Sequence, residues 1–151
     1  KVNPPLRTQE DINALLEGLK DGTIDAIATD HAPHHFDEKD LEFDKAAFGM
    51  VGLETALGVI LTNVVEKKGI SINKVIEKMT IGPAKVLGLD MGTLKIGAPA
   101  DITVIDINRE WVVNKDKFLS KGRNTPFNGL KLKGKAAMTI VDGNVTYSEI
   151  K

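Results

Sequence analysis

Cysteine is absent from the 151 residues. Disulfides and thiolate metal sites are therefore excluded, and the absence favours a cytoplasmic setting. No apolar run approaches the ~18–20 residues that a spanning helix needs. No basic stretch leads into an apolar one, as a secretory leader would require. Net charge is nearly absent too: 20 basic and 21 acidic residues give −1. That balance makes no case for a nucleic-acid or anionic-membrane partner. Internal repeats and low-complexity tracts are missing. What remains is a globular composition, 42% hydrophobic, long enough for one ordinary core.

Histidine is scarce, at 3 residues, but not scattered. All of it lies in Thr29-Asp30-His31-Ala32-Pro33-His34-His35, directly after the apolar run Ile24-Asp25-Ala26-Ile27-Ala28. That run reads as a buried strand. A carboxylate at the carboxyl end of a strand, with imidazoles just beyond, is how a (β/α) barrel presents metal and proton-transfer chemistry. Asp30 is therefore the first candidate, as metal ligand and as acid/base. Carboxylate and imidazole together suit Zn²⁺ or Mn²⁺. A capping or loop aspartate is the plainer alternative.

The neighbours of Asp30 separate by geometry. His31 follows directly and on a strand faces the other way, so packing or a supporting hydrogen bond is expected. His34 lies past Pro33 and can turn back over the strand end, toward ligand or substrate. His35 reads as an exposed loop residue. Asn3 precedes Pro4-Pro5, which is either a rigid turn or the exit of a barrel strand onto the same rim. The amide of Asn3 can donate and accept, which suits a substrate with amide and carbonyl groups. Phe48-Gly49 closes a charged stretch. It is either a turn that anchors the loop or a place where backbone approaches a ligand.

Around these residues the pattern is mixed α/β. Thr8 and Asp11 form a capping-box pair ahead of a helix with Ile12, Leu15, Leu16 and Leu19 on one face. Asp21-Gly22 ends it. Phe36 to Lys45 reads as a surface loop, either a solvated connection or a lid. A second helix spans about Leu53 to Lys67. A third is capped by Ser71 and buries Ile72, Val75, Ile76 and Met79. Pro83 begins a short helix through Leu87. Beyond Leu89 the period becomes two: a strand at 101–107, a second at 111–113, and a hairpin of 137–141 and 145–147 turned by Asp142-Gly143-Asn144. Ser120 to Gly129 is a loop. Lys1-Val2-Asn3-Pro4-Pro5 has no methionine and reads as an internal cut.

Asn3-Pro4-Pro5-Leu6-Arg7, then Thr29-Asp30-His31-Ala32-Pro33-His34, then Phe48-Gly49, resembles the C-terminal portion of bacterial-type dihydroorotases of the amidohydrolase superfamily. Thr80 to Leu89 and Gly97 to Ile102 are similar to that superfamily's passage from barrel to small β-sandwich. The resemblance implies the C-terminal elements of a metal-dependent-hydrolase (β/α)8 barrel over 1–90 and a β-sandwich segment over 91–151. It implies reversible cyclisation of N-carbamoyl-L-aspartate to L-dihydroorotate in pyrimidine synthesis. Asp30 is then a zinc ligand and the catalytic acid/base, and Asn3, His34, Phe48 and Gly49 bind substrate. Expected partners are the missing N-terminal part of the protein, a second copy of the chain, or aspartate transcarbamoylase. Another cyclic amidohydrolase, of allantoinase or dihydropyrimidinase type, and a non-catalytic subunit are the competing readings. The family's metal site also uses a His-x-His pair, a bridging residue and two more histidines, and none is present here. This chain alone is expected neither to hold Zn²⁺ nor to turn over substrate.

Overall fold

Residues 1–150 are described by a computed structural model. Helix α1 (Gln9–Asp21) starts as its sequence dictates: Thr8 Oγ1 accepts from the Asp11 amide while the Asp11 carboxylate accepts from the Thr8 amide. Gly22 stops it in the left-handed conformation, φ 95°, with its N–H on the Gly18 carbonyl. Of the predicted stripe, Leu19 is buried and Leu16 packs beside it, but Ile12 and Leu15 are exposed. No described element covers that end of the helix.

The expected strand over Ile24–Ala28 is not one. The segment forms no ladder; Ile27 N–H donates to the Lys78 carbonyl at 2.8 Å instead. Only His31 pairs in β fashion, in an isolated parallel bridge with Met50. A strand is defined by bonds to neighbours, and among the described residues none flanks this run. The charged stretch also differs from the expected loop, because it opens with a one-turn helix, α2 (Phe36–Lys39). His35 caps it: its Nδ1 accepts from the Asp37 amide at 3.3 Å, and the Glu38 carboxylate accepts from the His35 amide at 3.1 Å.

Helix α3 (Leu53–Ile60) runs on as a π-helical segment, Leu61–Glu66. Helix α4 (Ile72–Met79) follows, without the side-chain cap expected of Ser71. Helix α5 (Ile81–Val86) begins two residues before Pro83, since a proline costs no helical bond within the first turn. Gly82 there has no room for a side chain: a Cβ would stand 2.4 Å from the Asp25 carbonyl oxygen and 2.9 Å from that of Glu77. Gly82→Ala is expected to cost about 1–3 kcal/mol through overpacking. Thermal denaturation checks this, and an unchanged midpoint would show space the structure does not have.

The rest is an antiparallel sheet in the order β1 (Ile102–Val112), β2 (Lys131–Val141), β3 (Asn144–Ser148). The two strands expected at 101–107 and 111–113 are one, interrupted between Asp106 and Glu110. Asp106 Oδ1 accepts from the Asn108 and Arg109 amides at 3.0 and 3.1 Å, so a side chain bridges the irregularity. The hairpin turn has Asp142 at φ 48° and Gly143 at φ 75°, the two left-handed residues of a type I′ turn. Trp111 joins the sheet to α3. Its Nε1–H donates to the Gly134 carbonyl at 3.0 Å, and Gly58 leaves space for its ring. One core cluster, Val51, Val113, Phe118 and Leu132, thus draws on both parts of the chain, while Leu19, Ile70 and Val75 form a second among the helices.

Glu149 clasps the open end of the sheet, paired with Arg109 and with Lys135. The bond from Lys135, then one from Tyr147, holds its carboxyl well below the usual 4.5, at about 2. A depressed carboxyl stabilises the fold fully above its unfolded value and loses that contribution as pH falls through the folded one. The melting midpoint is therefore expected to drop between pH 4.5 and about 2. Glu149→Gln should flatten that limb; an equally steep limb in the variant would assign it to other carboxylates.

Candidate active site

The candidate residues sit where three stretches of backbone lie side by side. Gly49 N–H donates to the Lys1 carbonyl at 2.9 Å, and Ala32 N–H donates to the Met50 carbonyl at 2.9 Å. The Gly49-Met50 pair is thereby held between the segment bearing Asn3 and the segment bearing Asp30. Asn3 and Asp30 are both exposed. Asp30 has φ 46°, a left-handed conformation that costs an L-residue about 1–2 kcal/mol. Strain of this kind persists at functional sites where the surroundings over-determine it.

His31 takes the role expected of it. Its Nδ1 accepts from the amides of Gly52 and Leu53 at 3.0 and 3.3 Å, which are orphan donors at the start of α3. Gly52, the capping residue, offers no side chain. The imidazole next to Asp30 is thus committed to holding a helix.

His34, Phe48 and Gly49 form a contiguous group. His34 Nε2–H donates to the Phe48 carbonyl at 2.8 Å, and Nδ1 faces Glu38 Oε2 at 3.2 Å. The His34 bond, then the His35 amide, holds the Glu38 carboxyl below its usual range. Gly49 has φ 133°, and a Cβ there would meet Ala32 Cβ at 2.6 Å and His34 Cδ2 at 3.2 Å. The Gly49 carbonyl accepts twice, from Lys39 Nζ at 3.0 Å and from Asn124 Nδ2 at 2.8 Å. The Phe48 carbonyl and both Gly49 main-chain groups are therefore engaged. The Phe48 amide has no partner among the described residues.

Two clefts flank this group. One, of about 240 Å³, runs beside His34 and is lined by Lys39, Lys115, Lys121 and Arg123. The other, of about 340 Å³, lies between Lys1, Val2, Gly49 and Asn124. Lys39 and Asn124 touch both, and sequence reasoning singled out neither. Asn124 lies 75 residues from Gly49, inside a stretch whose Gly, Asn and Pro content marked it only as a loop. No local pattern reports a pairing at that separation. Among the described residues, no three His, Cys, Asp or Glu side chains converge as a metal site would require.

A carboxylate and imidazoles past side-by-side segments, with helices following, fit the arrangement of part of an α/β barrel. The chain belongs to the Amidohydrolase family, whose pattern matches residues 3–146. Among curated proteins it is 56% identical over 149 residues to a dihydroorotase of Acetivibrio thermocellus, covering 99% of this chain and 35% of that one. It is 58% identical over 147 residues to a dihydroorotase of Geotalea daltonii, covering 97% and 34%. Among solved structures, an L-hydantoinase (dihydropyrimidinase) from Arthrobacter aurescens matches with TM-score 0.91 and 35% identity, over 100% of this chain and 35% of that one. A D-hydantoinase (dihydropyrimidinase) from Thermus sp. matches with TM-score 0.90 and 25% identity, over 98% and 33%. The chain spans about a third of the length of these relatives. The fold class read from the sequence, α/β elements of a (β/α)8 barrel with part of a small sandwich, stands.

Proposed function

We propose that this chain is the C-terminal part of a dihydroorotase, the enzyme that interconverts N-carbamoyl-L-aspartate and L-dihydroorotate in cytoplasmic pyrimidine synthesis. The observation that carries the reading is selective likeness. Identity is 56% and 58% to two dihydroorotases across nearly the whole chain, against 35% to a hydantoinase of closely similar fold. Residues 1–90 would complete the barrel's catalytic rim, and 91–151 would belong to the β-sandwich.

In this reading Asp30 takes a proton from the water that adds to the ring amide carbonyl and gives it to the ring nitrogen as the C–N bond breaks; ring closure reverses both transfers and releases water. A group that works in both directions must hold either charge state near the operating pH. Asn3 and the Phe48 amide face the substrate's amide and carbonyl groups, and His34 holds the loop that presents Phe48. The cationic cleft beside His34 suits the carboxylates of N-carbamoyl-L-aspartate. Among the described residues Asp30 has no clustered companions that would make up a Zn²⁺ site with it. Asp30 would be one ligand of the whole enzyme's zinc, and the others would come from the rest of the protein or of its assembly.

The test is a substrate panel on the full-length protein. Dihydroorotate is expected to be opened with kcat/KM at least ~10²-fold above hydantoin or allantoin, the discrimination that polar contacts to a substrate carboxylate supply. Preference for hydantoin would move the protein to the hydantoinases. A folded full-length protein inert toward all three would refute the catalytic reading.

A further inference from the structure

The loop from Ser120 to Gly129 belongs to the sheet region, yet it rests on the candidate site. Gly122 is pressed against the Asp30–His35 turn: a Cβ on it would stand 2.9 Å from Pro33 Cβ and 3.0 Å from Val51 Cγ1. Asn124 reaches further. Its carbonyl accepts from the Val51 amide at 3.0 Å, and its side-chain Nδ2 donates to the Gly49 carbonyl at 2.8 Å. These two bonds straddle Met50. They pin the short stretch whose other end carries the Phe48 carbonyl bound to His34.

The rest of the Asn124 amide is unusual. Oδ1 is buried and has no partner among the described residues. An orphaned buried acceptor is a standing cost, and an apolar side chain of the same shape would not incur it. Packing therefore does not explain an asparagine here; its N–H does. Rotating the amide to rescue Oδ1 would set two oxygens against each other at Gly49. Lys39 Nζ donates to the same Gly49 carbonyl at 3.0 Å. That carbonyl consequently stays satisfied when Asn124 is replaced.

We propose that Asn124 is a positioning residue: it fixes Phe48-Gly49 against His34 and so aims the Phe48 amide at the bound ligand. Asn124 touches no reacting atom in this arrangement. The proposal rests on the dihydroorotase reading only for its choice of substrate.

The experiment uses the full-length protein with Asn124→Leu, close in shape and lacking both polar atoms. Three quantities are read: the thermal midpoint, amide exchange at Gly49 and Val51, and the kinetics with dihydroorotate. The midpoint should be unchanged or higher, because the orphan acceptor is gone. Exchange at the two amides should rise about tenfold, as should KM, the range expected for one lost hydrogen bond. kcat should hold within about twofold if only ligand binding is loosened. Asn124→Asp, with the same shape and no donor, should reproduce the exchange and KM changes, and it carries the comparison if the leucine variant does not fold. Unchanged exchange and KM would overturn the proposal. So would a fallen midpoint with faster exchange throughout the chain, since that marks a purely structural prop. If wild type ignores dihydroorotate, the substrate reading fails and the exchange result alone decides the role of Asn124.

Discussion

Asp30→Asn in the full-length protein is expected to lower kcat for dihydroorotate by about 10²–10⁴-fold, the range for loss of a positioned acid/base. Its effect on folding should be small. Asparagine, like aspartate, tolerates the left-handed conformation that Asp30 adopts at φ 46°. Asp30→Gly makes the same point from the other side. Glycine relieves strain of about 1–2 kcal/mol and gives back about 0.4–1 kcal/mol through a freer unfolded chain. The glycine variant should therefore be at least as stable as wild type and equally inactive. Loss of activity without loss of stability is the signature of a residue kept for chemistry. Near-normal kcat in either variant would remove Asp30 from the mechanism.

Gly49→Ala should do the opposite and harm both fold and activity. Its φ of 133° favours glycine, and the added Cβ would collide with Ala32 Cβ at 2.6 Å and the Ala32 carbonyl oxygen at 2.9 Å. Neither contact is the far end of a flexible chain. Backbone strain plus overpacking is expected to cost about 2–4 kcal/mol. Relief requires the Phe48-Gly49 backbone to move away from Ala32. That movement breaks the bond from His34 Nε2 to the Phe48 carbonyl. Activity should fall with stability, and raising the substrate concentration should recover part of it. Melting curves and saturation kinetics on the variant check both halves. A variant with wild-type midpoint and KM would show that Gly49 is not confined as described.

The features legible in the sequence were those whose chemistry is local. Thr8 and Asp11 cap each other within one turn, and Asp142-Gly143 supplies both left-handed residues of its turn. Both could be read from a few adjacent letters. The run Ile24–Ala28 could not, because an apolar run shows neither what flanks a segment nor how far it is covered, and here none of its residues is buried. The division into strands at 101–107 and 111–113 failed in another way. The alternation lapses between the two runs, whereas the Asp106 side chain bonds across the irregularity and lets β1 continue. The site divides along the same line. Clustering marked Asp30 and His34, and Phe48-Gly49 stood out at the close of a charged stretch. The structure joins His34 to Phe48 and Gly49. Lys39 and Asn124 were invisible, since their side chains act through bonds to backbone carbonyls, of Ala47 and Gly49 for Lys39 and of Gly49 for Asn124, with no sequence mark of their own.

One measurement bears most directly on whether these segments form a single catalytic rim: a crystal structure of the full-length protein with dihydroorotate bound. The ligand is expected between Asn3 and Asp30, with its polar atoms within about 3.2 Å of the Asn3 amide, the Asp30 carboxylate and the Phe48 N–H. A ligand bound elsewhere, or Asn3 and Asp30 opening onto different faces, would contradict it.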